Sequence, residues 1–252
     1  MDDEALLALA ADLARRAGAA ILAIRAQGFE TVRKADASPV TAADHAAETI
    51  IAEGLRAARP DIPVIAEEEV AGGREQAATR EFWLVDPLDG TREFAAGRDE
   101  FTVNIGLVRD GRAVLGVVGA PALGELFGGI VGRGAWRRDT AGERPITART
   151  PPSDGLTVVA SRHSGNDPRL LAYLGERKIA SLANYGSSLK FCRLAEGLAD
   201  LYPRFGRTME WDTAAPQAVL EAAGGHVRTV EGAPFRYAKP GWENPSFICT
   251  GR

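Results

Sequence analysis

The sequence predicts a two-part α/β chain of 252 residues. Three features carry the prediction. Helical periodicity fills the first stretch, short apolar segments with a tight-turn signal fill the middle, and strands and helices alternate toward the C-terminus. The change falls at "TARTPPSDG" (Thr147 to Gly155), where paired prolines cannot continue regular structure. We therefore expect an α+β part at residues 1–150 and a smaller α/β part at residues 151–252. Hydrophobic residues make up 45% of the chain, enough at this length to bury a sizeable core as one large domain or two small ones.

Leu6, Leu7, Leu9, Leu13, Ile21, Leu22 and Ile24 recur at helical spacing up to Gly28, which predicts a long first helix. "FETVRK" follows as a strand. "DASPVTAADHAAETIIAEGLRAARP" reads as a loop and then a helix that stops before Pro60. "IPVIAEE" and "EFWLVDP" are short apolar strands, each ending in acid. "FTVNIGLV" and "RAVLGVVGAP" flank Asp110-Gly111, a pair suited to a type I′ hairpin turn. Further strands are expected near Glu125 to Val131 and at Ala135 to Arg137, so the first part is two helices with a largely antiparallel sheet. Beyond the boundary, "LTVVAS", "KIASLA", "ADLYPRF" and "HVRTV" read as strands. "DPRLLAYL", "SSLKFCRLAEG" and "DTAAPQAVLEAAG" read as the helices between them. No internal repeat or low-complexity tract interrupts this order.

Composition narrows the function classes. The net charge is −4 and basic residues are dispersed, which argues against a nucleic-acid partner. Two cysteines, Cys192 and Cys249, form no CxxC pair, and only three histidines accompany them, so a thiolate or imidazole metal site is not expected. Two buried thiols in a reducing compartment is the simpler expectation. The first residues are acidic and then amphipathic, unlike a secretory signal, and no run approaches 18 apolar residues. The expected setting is the cytoplasm, with no membrane span.

Four acidic stretches stand out. In "VDPLDGT", Asp86 closes a strand and Pro87 stops the ladder, so Asp86 and Asp89 converge if the loop curls. The Leu88 carbonyl between them is a further oxygen donor, and all-oxygen donors suit a hard cation such as Mg²⁺. Gly90 lets the backbone pass close to a ligand, and a helix starting at Thr91 would turn the Gly90 and Thr91 N–H groups toward an anion. The structural alternative is an acidic turn with Asp89 as helix N-cap. In "VIAEEE", Glu67, Glu68 and Glu69 repel one another unless solvent or a cation relieves them. In "EWDTAAPQAVLEAAGG", Asp212 is either a plain N-cap or a metal ligand from the second part, with Trp211 walling the site. In "DASPVTAAD", Thr41 caps a helix whose first turn holds Asp44; Asp44 either serves the helix dipole or accepts from a hydroxyl such as Thr91. Phosphatases that form an aspartyl-phosphate place two acids two apart before Gly-Thr. Here the gap is three with a proline inside, which disfavours that route.

Together these motifs resemble the lithium-sensitive, magnesium-dependent phosphomonoesterases that include the inositol monophosphatases, in particular their 3′(2′),5′-bisphosphate nucleotidase branch. "SPVTAAD", "WLVDPLDGTREF", "EFTVNIGLV", "GSSLKFCRLAEG", "LYPRFG" and "EWDTAA" carry the resemblance over nearly the whole chain. It implies a layered αβαβα fold. It implies metal ligands at Glu67, Asp86, the Leu88 carbonyl, Asp89 and Asp212, and a water-activating pair at Thr91 and Asp44. Phosphate falls to Gly90 and Thr91. The rest of a nucleotide falls to Ser187, Lys190 and Arg204, with Ser161, Arg162 and His163 near. Two departures are visible. Pro216 removes the N–H that would bond the residue 212 carbonyl, which bears on the pose of Asp212. Ala66 stands where the branch often has serine.

Charge fits that resemblance. Four ligand carboxylates and a phosphate monoester bring about six negative charges to one place. Two Mg²⁺ ions would bring about +4, and two-metal sites set them about 3.5–4 Å apart; a third ion is compatible. The implied chemistry is in-line attack of water without a phospho-enzyme, Glu67 and Asp89 acting through the ions they hold. The implied reaction is removal of the 3′-phosphate of adenosine 3′,5′-bisphosphate in sulfate assimilation. Inositol phosphate or fructose 1,6-bisphosphate hydrolysis are the alternatives within the class, and a nucleotide-binding regulator without turnover is the alternative outside it. The partner is a small phosphorylated nucleotide, and a homodimer is compatible with the sequence. Lys190 alone would read as an exposed helix lysine, His163 as a solvated loop histidine, and Trp242 and Asn244 as neighbours of the nucleotide without an argument to place them.

Overall fold

The structure, a computed structural model, describes residues 1–33, 39–74, 77–162 and 167–252. The chain opens on α1 (Asp3–Gln27), capped by the Asp2 side chain on the Ala5 N–H at 2.9 Å, with Asp3 and Glu4 favouring the positive end of the helix. β1 (Thr31–Arg33) and β2 (Pro39–Thr41) pair antiparallel as a small ribbon, the second of them inside the stretch read as a loop. α2 (Ala42–Ala58) follows. β3 (Val64–Ala66) then leads straight into the short helix α3 (Glu67–Ala71). The three glutamates therefore begin a helix rather than end a strand.

β4 (Glu81–Asp89) and α4 (Thr91–Ala95) come next, then β5 (Thr102–Arg109) and β6 (Arg112–Ala120). The β5–β6 turn has φ of 52° at Asp110 and 69° at Gly111, the two positive values a type I′ turn requires. β7 (Glu125–Ile130), β8 (Gly134–Asp139) and β9 (Gly142–Ile146) complete a seven-stranded sheet in order β3-β4-β5-β6-β7-β8-β9, antiparallel except for β3–β4. β9 was not anticipated from the sequence.

The remaining elements are β10 (Leu156–Ser161), α5 (Pro168–Leu174), β11 (Ile179–Tyr185), α6 (Leu189–Ala195), β12 (Leu201–Arg204), α7 (Glu210–Ala222), β13 (His226–Thr229) and β14 (Phe247–Thr250). They form a five-stranded sheet in order β11-β10-β12-β14-β13. The strand–helix alternation suggests a parallel sheet, and β10 does pair parallel with β11 and β12. The unforeseen β14, however, enters between β12 and β13 and makes both of those pairs antiparallel.

Three apolar clusters bind these elements into the expected αβαβα layers. α1 and α2 cover one face of the large sheet through Leu6, Leu13, Ile21, Ile51 and Leu55 against Trp83, Val85 and Ile105. α6 and α7 fill the space between the two sheets, with Phe191, Leu194, Ala215 and Val219 against Phe82, Val118 and Phe247. α5 covers the outer face of the small sheet through Leu170 and Leu174 on Val158 and Ile248. Cys192 and Cys249 are buried free thiols in the middle layer, as expected.

α7 lies unusually close to the large sheet. Gly106 and Gly116 are paired across β5 and β6. A Cβ on Gly106 would stand 2.6 Å from the Ala215 nitrogen, and one on Gly116 would stand 2.3 Å from the Ala215 oxygen. Two glycines thus form a flat seat for the helix backbone, one turn from Asp212. Among the described residues no helix is long and apolar enough to cross a membrane.

Candidate active site

The "VDPLDGT" stretch works through a bulge. Asp86 stands opposite Asn104 and Asp89 opposite Thr102, so three steps on β4 match two on β5. In a regular strand, residues three apart face opposite sides. The extra residue at Pro87–Leu88 returns Asp86 and Asp89 to the same side. The Asp86 Oδ1 accepts the Leu88 N–H at 3.0 Å, which fixes the bulge. Gly90 then adopts φ +91°, where an added Cβ would stand 3.2 Å from the Glu100 oxygen and 3.3 Å from the Ser187 Cβ. Glycine is required there on both counts. Gly90, not Asp89, precedes the first turn of α4, so Asp89 is not its cap.

Asp44 fills both roles read for it. Its Oδ2 accepts the Thr41 N–H and hydroxyl at 2.8 and 2.7 Å, closing a capping box. Its Oδ1 accepts the Thr91 hydroxyl at 3.2 Å, which also reaches the Leu88 carbonyl at 3.0 Å. Asp212 is not the N-cap of α7 but sits in its first turn, with Oδ2 accepting the Met209 N–H at 2.8 Å. The helix begins at Glu210 and runs on through Pro216, which leaves the carboxylate held despite the missing N–H.

A cavity of about 150 Å³ gathers Asp89, Gly90, Ser187, Lys190, Arg204 and Asp212, together with Ser161. Burial raises the pKa of Asp212, and the charges of Asp89 and Glu67 add to it. Burial likewise raises Asp89, opposed by Lys190 and by the Ser188 N–H, with Glu93 and Glu67 pushing further up. Glu67 is therefore an electrostatic neighbour of both, although it does not line the cavity. Lys190 is not the exposed lysine its position suggested. It is 3% exposed and bonds the Tyr185 carbonyl at 3.1 Å and the Ser187 carbonyl, with Tyr202 beneath it at 5.3 Å. Burial pulls its pKa down to about 8, helped by Arg204 and opposed by Asp89. The Arg204 Nη2 donates to the Arg207 carbonyl at 3.1 Å, while its Nε is buried without a partner.

The motifs and this architecture have a common source. The inositol monophosphatase family matches residues 2–248. The chain belongs to that family. It is 46% identical over 244 residues to the 3′(2′),5′-bisphosphate nucleotidase CysQ of Salmonella typhimurium, covering 94% of this chain and 96% of that one. The protein of the same name from Buchnera aphidicola is 40% identical over 241 residues, covering 95% and 89%. The solved structure of CysQ from Bacteroides thetaiotaomicron, a bacterial member of the inositol monophosphatase family, matches with TM-score 0.83 at 35% identity, covering 99% and 98%. An inositol monophosphatase from Anabaena matches with TM-score 0.79 at 28% identity, covering 98% and 90%.

Within this family member the donors differ in how far they are gathered. Asp89 and Asp212 share the cavity, whereas Asp86 and the Leu88 carbonyl do not line it and are held by the Leu88 N–H and the Thr91 hydroxyl respectively. Among the described residues no set of three or more His, Cys, Asp and Glu side chains forms a ready-made metal cage. The donor set nonetheless fits a hard cation: its oxygens are carboxylate and carbonyl, and burial with mutual repulsion makes the ionised acids costly without one. His163 lies outside the described residues, and Arg162 instead pairs with Glu100 at 2.5 Å. Trp211 is packed in the core rather than walling the cavity. Trp242 packs edge-on to Phe82 at 6.1 Å, and Asn244 bonds Thr208, Met209 and Thr213 behind the start of α7; neither lines the cavity. Glu93, Ser188, Tyr202, Thr208 and Thr213 do line it and were not singled out from the sequence. The alternation of "LYPRF" could have flagged Tyr202, which is two residues from Arg204 and shares its side of the strand.

Proposed function

We propose that this chain is a cytoplasmic, Mg²⁺-dependent phosphomonoesterase that removes the 3′-phosphate of adenosine 3′,5′-bisphosphate to give AMP, in sulfate assimilation. The observation that carries the reading is one cavity lined by two carboxylates, Asp89 and Asp212, and two cationic side chains, Lys190 and Arg204. Acids alone would suit a cation and bases alone an anion. Both together suit a cation and a phosphate bound side by side. The nucleotidase relatives supply the substrate class.

Glu67, Asp86, the Leu88 carbonyl, Asp89 and Asp212 would hold two or three Mg²⁺ ions. Bound there, Mg²⁺ supplies positive charge against the phosphate oxygens and lowers the pKa of water. The Thr91 proton is committed to Asp44 or the Leu88 carbonyl. Its oxygen is thereby left to accept from a water and aim it at phosphorus. The water oxygen bonds phosphorus as the bond to the 3′ oxygen breaks on the opposite side, with no phospho-enzyme between. The Gly90 and Thr91 N–H groups bind the phosphate. Ser187, Lys190 and Arg204 hold the second phosphate and the nucleoside, with Ser161, Arg162 and His163 at the margin. Residues 1–150 supply the metal donors except Asp212, and residues 151–252 supply Asp212 and the groups that recognise the nucleotide. Every group in the scheme comes from one chain, so it operates in a monomer as in a homodimer.

The test is phosphate release from adenosine 3′,5′-bisphosphate, an inositol monophosphate and fructose 1,6-bisphosphate, with Mg²⁺ and then with added lithium. The bisphosphate nucleotide is the expected best substrate, and Asp89→Asn is expected to lose nearly all turnover with an unchanged circular dichroism spectrum. Preference for either sugar or inositol phosphate sinks the substrate assignment, and normal turnover by Asp89→Asn sinks the site. Nucleotide binding by calorimetry without phosphate release would make the chain a regulator instead.

A further inference from the structure

The "EFTVNIGLV" strand contributes two polar side chains that the scheme above does not use. Thr102 and Asn104 are both fully buried on β5, opposite Asp89 and Asp86 respectively. Between them and α6 stands Ser188, also buried. The Ser188 Oγ lies 2.8 Å from Asn104 Oδ1 and 2.8 Å from Thr102 Oγ1, and Thr102 Oγ1 lies 3.4 Å from Asp89 Oδ2. The Ser188 N–H also faces Asp89 and favours its ionised form. The Asn104 Nδ2 is buried without a partner.

Proton accounting gives this chain a direction. An ionised Asp89 can only accept, and Thr102 and Ser188 own one hydroxyl proton each. If Thr102 donates to Asp89, Ser188 must donate to Thr102. The remaining link, in which the structure has Ser188 donating to Asn104 Oδ1, must then reverse, so that the Asn104 amide turns over and its Nδ2 donates to Ser188. Amide orientation is interchangeable at the level of atom positions, and the turn brings the orphan nitrogen onto Ser188. All three donors then point the same way, from Asn104 through Ser188 and Thr102 to Asp89.

We propose that Asn104, Ser188 and Thr102 form a positioning relay that fixes the Asp89 carboxylate for ligation and ties the start of α6 to the metal side. Burial leaves few other orientations to Asp89 when Thr102 reaches it and the Ser188 N–H faces it. Residues of this kind set ligand direction and basicity without touching the ion, and losing one typically lowers metal affinity about 10–100-fold. The same link explains how α6, which carries Lys190, is kept in register with the acids: Ser188 precedes its first residue. Ser187, just before it, holds φ of 49°, a left-handed value that a serine keeps only where neighbours enforce it.

The inference rests on Asp89 being a metal ligand, and the experiment separates the two claims. Mg²⁺ binding to the substrate-free protein is measured by calorimetry for the parent, Thr102→Val, Thr102→Ser, Ser188→Ala and Asp89→Asn, with unfolding followed in EDTA. Thr102→Val keeps the shape and removes the hydroxyl. Its Mg²⁺ affinity is expected to fall about 10–100-fold, and Thr102→Ser to recover most of it, whatever either does to stability in EDTA. Ser188→Ala is expected to weaken Mg²⁺ in the same way and covers the case in which Thr102→Val does not fold. If both hydroxyl deletions bind Mg²⁺ like the parent while Asp89→Asn does not, the relay is wrong and the ligand assignment stands. If Asp89→Asn also binds Mg²⁺ like the parent, the ligand assignment falls and the relay with it.

Discussion

Gly116→Ala tests whether the seat beneath α7 sets the position of Asp212. The added Cβ would stand 2.3 Å from the Ala215 oxygen and 2.7 Å from its Cα. Ordinary contact is about 3.5 Å, so the helix must retreat by on the order of 1 Å. Those neighbours are backbone atoms, so no side chain can rotate out of the way. Overpacking of this kind costs about 1–3 kcal/mol of stability, and a displacement of about 1 Å at a catalytic group costs up to about 100-fold in rate. Gly119→Ala is the control. It lies on the same strand, and its Cβ would meet Leu126 at 3.5 Å, Ala14 at 3.7 Å and Val103 at 3.8 Å, all side-chain atoms at normal packing distance. Urea unfolding and kcat/KM for phosphate release are measured for both. Gly116→Ala is expected to lose 1–3 kcal/mol, by the overpacking range above, and at least about 10-fold in kcat/KM, and Gly119→Ala to lose little of either. Equal behaviour of the two variants would refute the seat, because strand glycine replacement in general, rather than contact with α7, would then be the cause.

Two further outcomes follow from buried charge. Arg193 and Arg137 alternate with Glu125 and Glu196 in a closed ring of contacts of 2.5–2.8 Å, joining α6 to β7 and β8, with side chains 6–17% exposed. Arg193→Met leaves two carboxylates to one arginine and is expected to cost about 3 kcal/mol in urea unfolding; a loss under about 1 kcal/mol that vanishes in high salt would make the ring an ordinary surface cluster. Burial pushes the Glu48 carboxyl from 4.5 up to about 7, opposed by the Glu68 N–H and reinforced by the charges of Glu68, Glu69 and Glu67. The folded state then holds this proton more tightly than the unfolded chain, so the contribution of Glu48 to stability is fully present below pH 4.5 and is lost as pH rises to about 7, by up to about 3 kcal/mol. Glu48→Gln is expected to remove that slope when unfolding is followed across pH in EDTA, and parallel curves for parent and variant would refute it.

Much of the site was legible because its chemistry is local. "VDPLDGT" carries its own geometry: the proline announces the bulge, and the bulge brings two aspartates three apart to one side. "SPVTAAD" likewise encodes a capping box within four residues. The misses are non-local. β9, "GERPI", has charge and a proline where a strand signal should be, and it survives because it is an edge strand that needs few ladder bonds. β14, "FICT", is four residues long, and its partner β12 lies more than 40 residues earlier. The length of the run gives no hint that it occupies an interior place in the sheet. α6 misled in the opposite sense. Lys190 and Arg193 suggest a solvent face, yet all seven residues of the helix are buried because sheets flank it on both sides.

Pro216 shows why the pose of Asp212 could not be read from its own segment. A proline inside a helix removes one backbone bond and costs about 3 kcal/mol in an isolated helix. Here the first turn is held from outside instead. Asp212 accepts the Met209 N–H, and Asn244 donates to the Met209 carbonyl at 2.6 Å. Glu210 accepts the Ala238 and Lys239 N–H groups at 2.8 and 2.9 Å. One turn further on, the backbone rests on Gly106 and Gly116. α7 therefore belongs by sequence to the second part but by packing to the large sheet. That division has a mechanical consequence. A small movement of β12 against the large sheet would shift Arg204 relative to Asp89, but it would leave Lys190 and Asp212 in place, because α6 is joined to that sheet through Ser188 and the Arg193 ring and Asp212 travels with the sheet that carries Asp89.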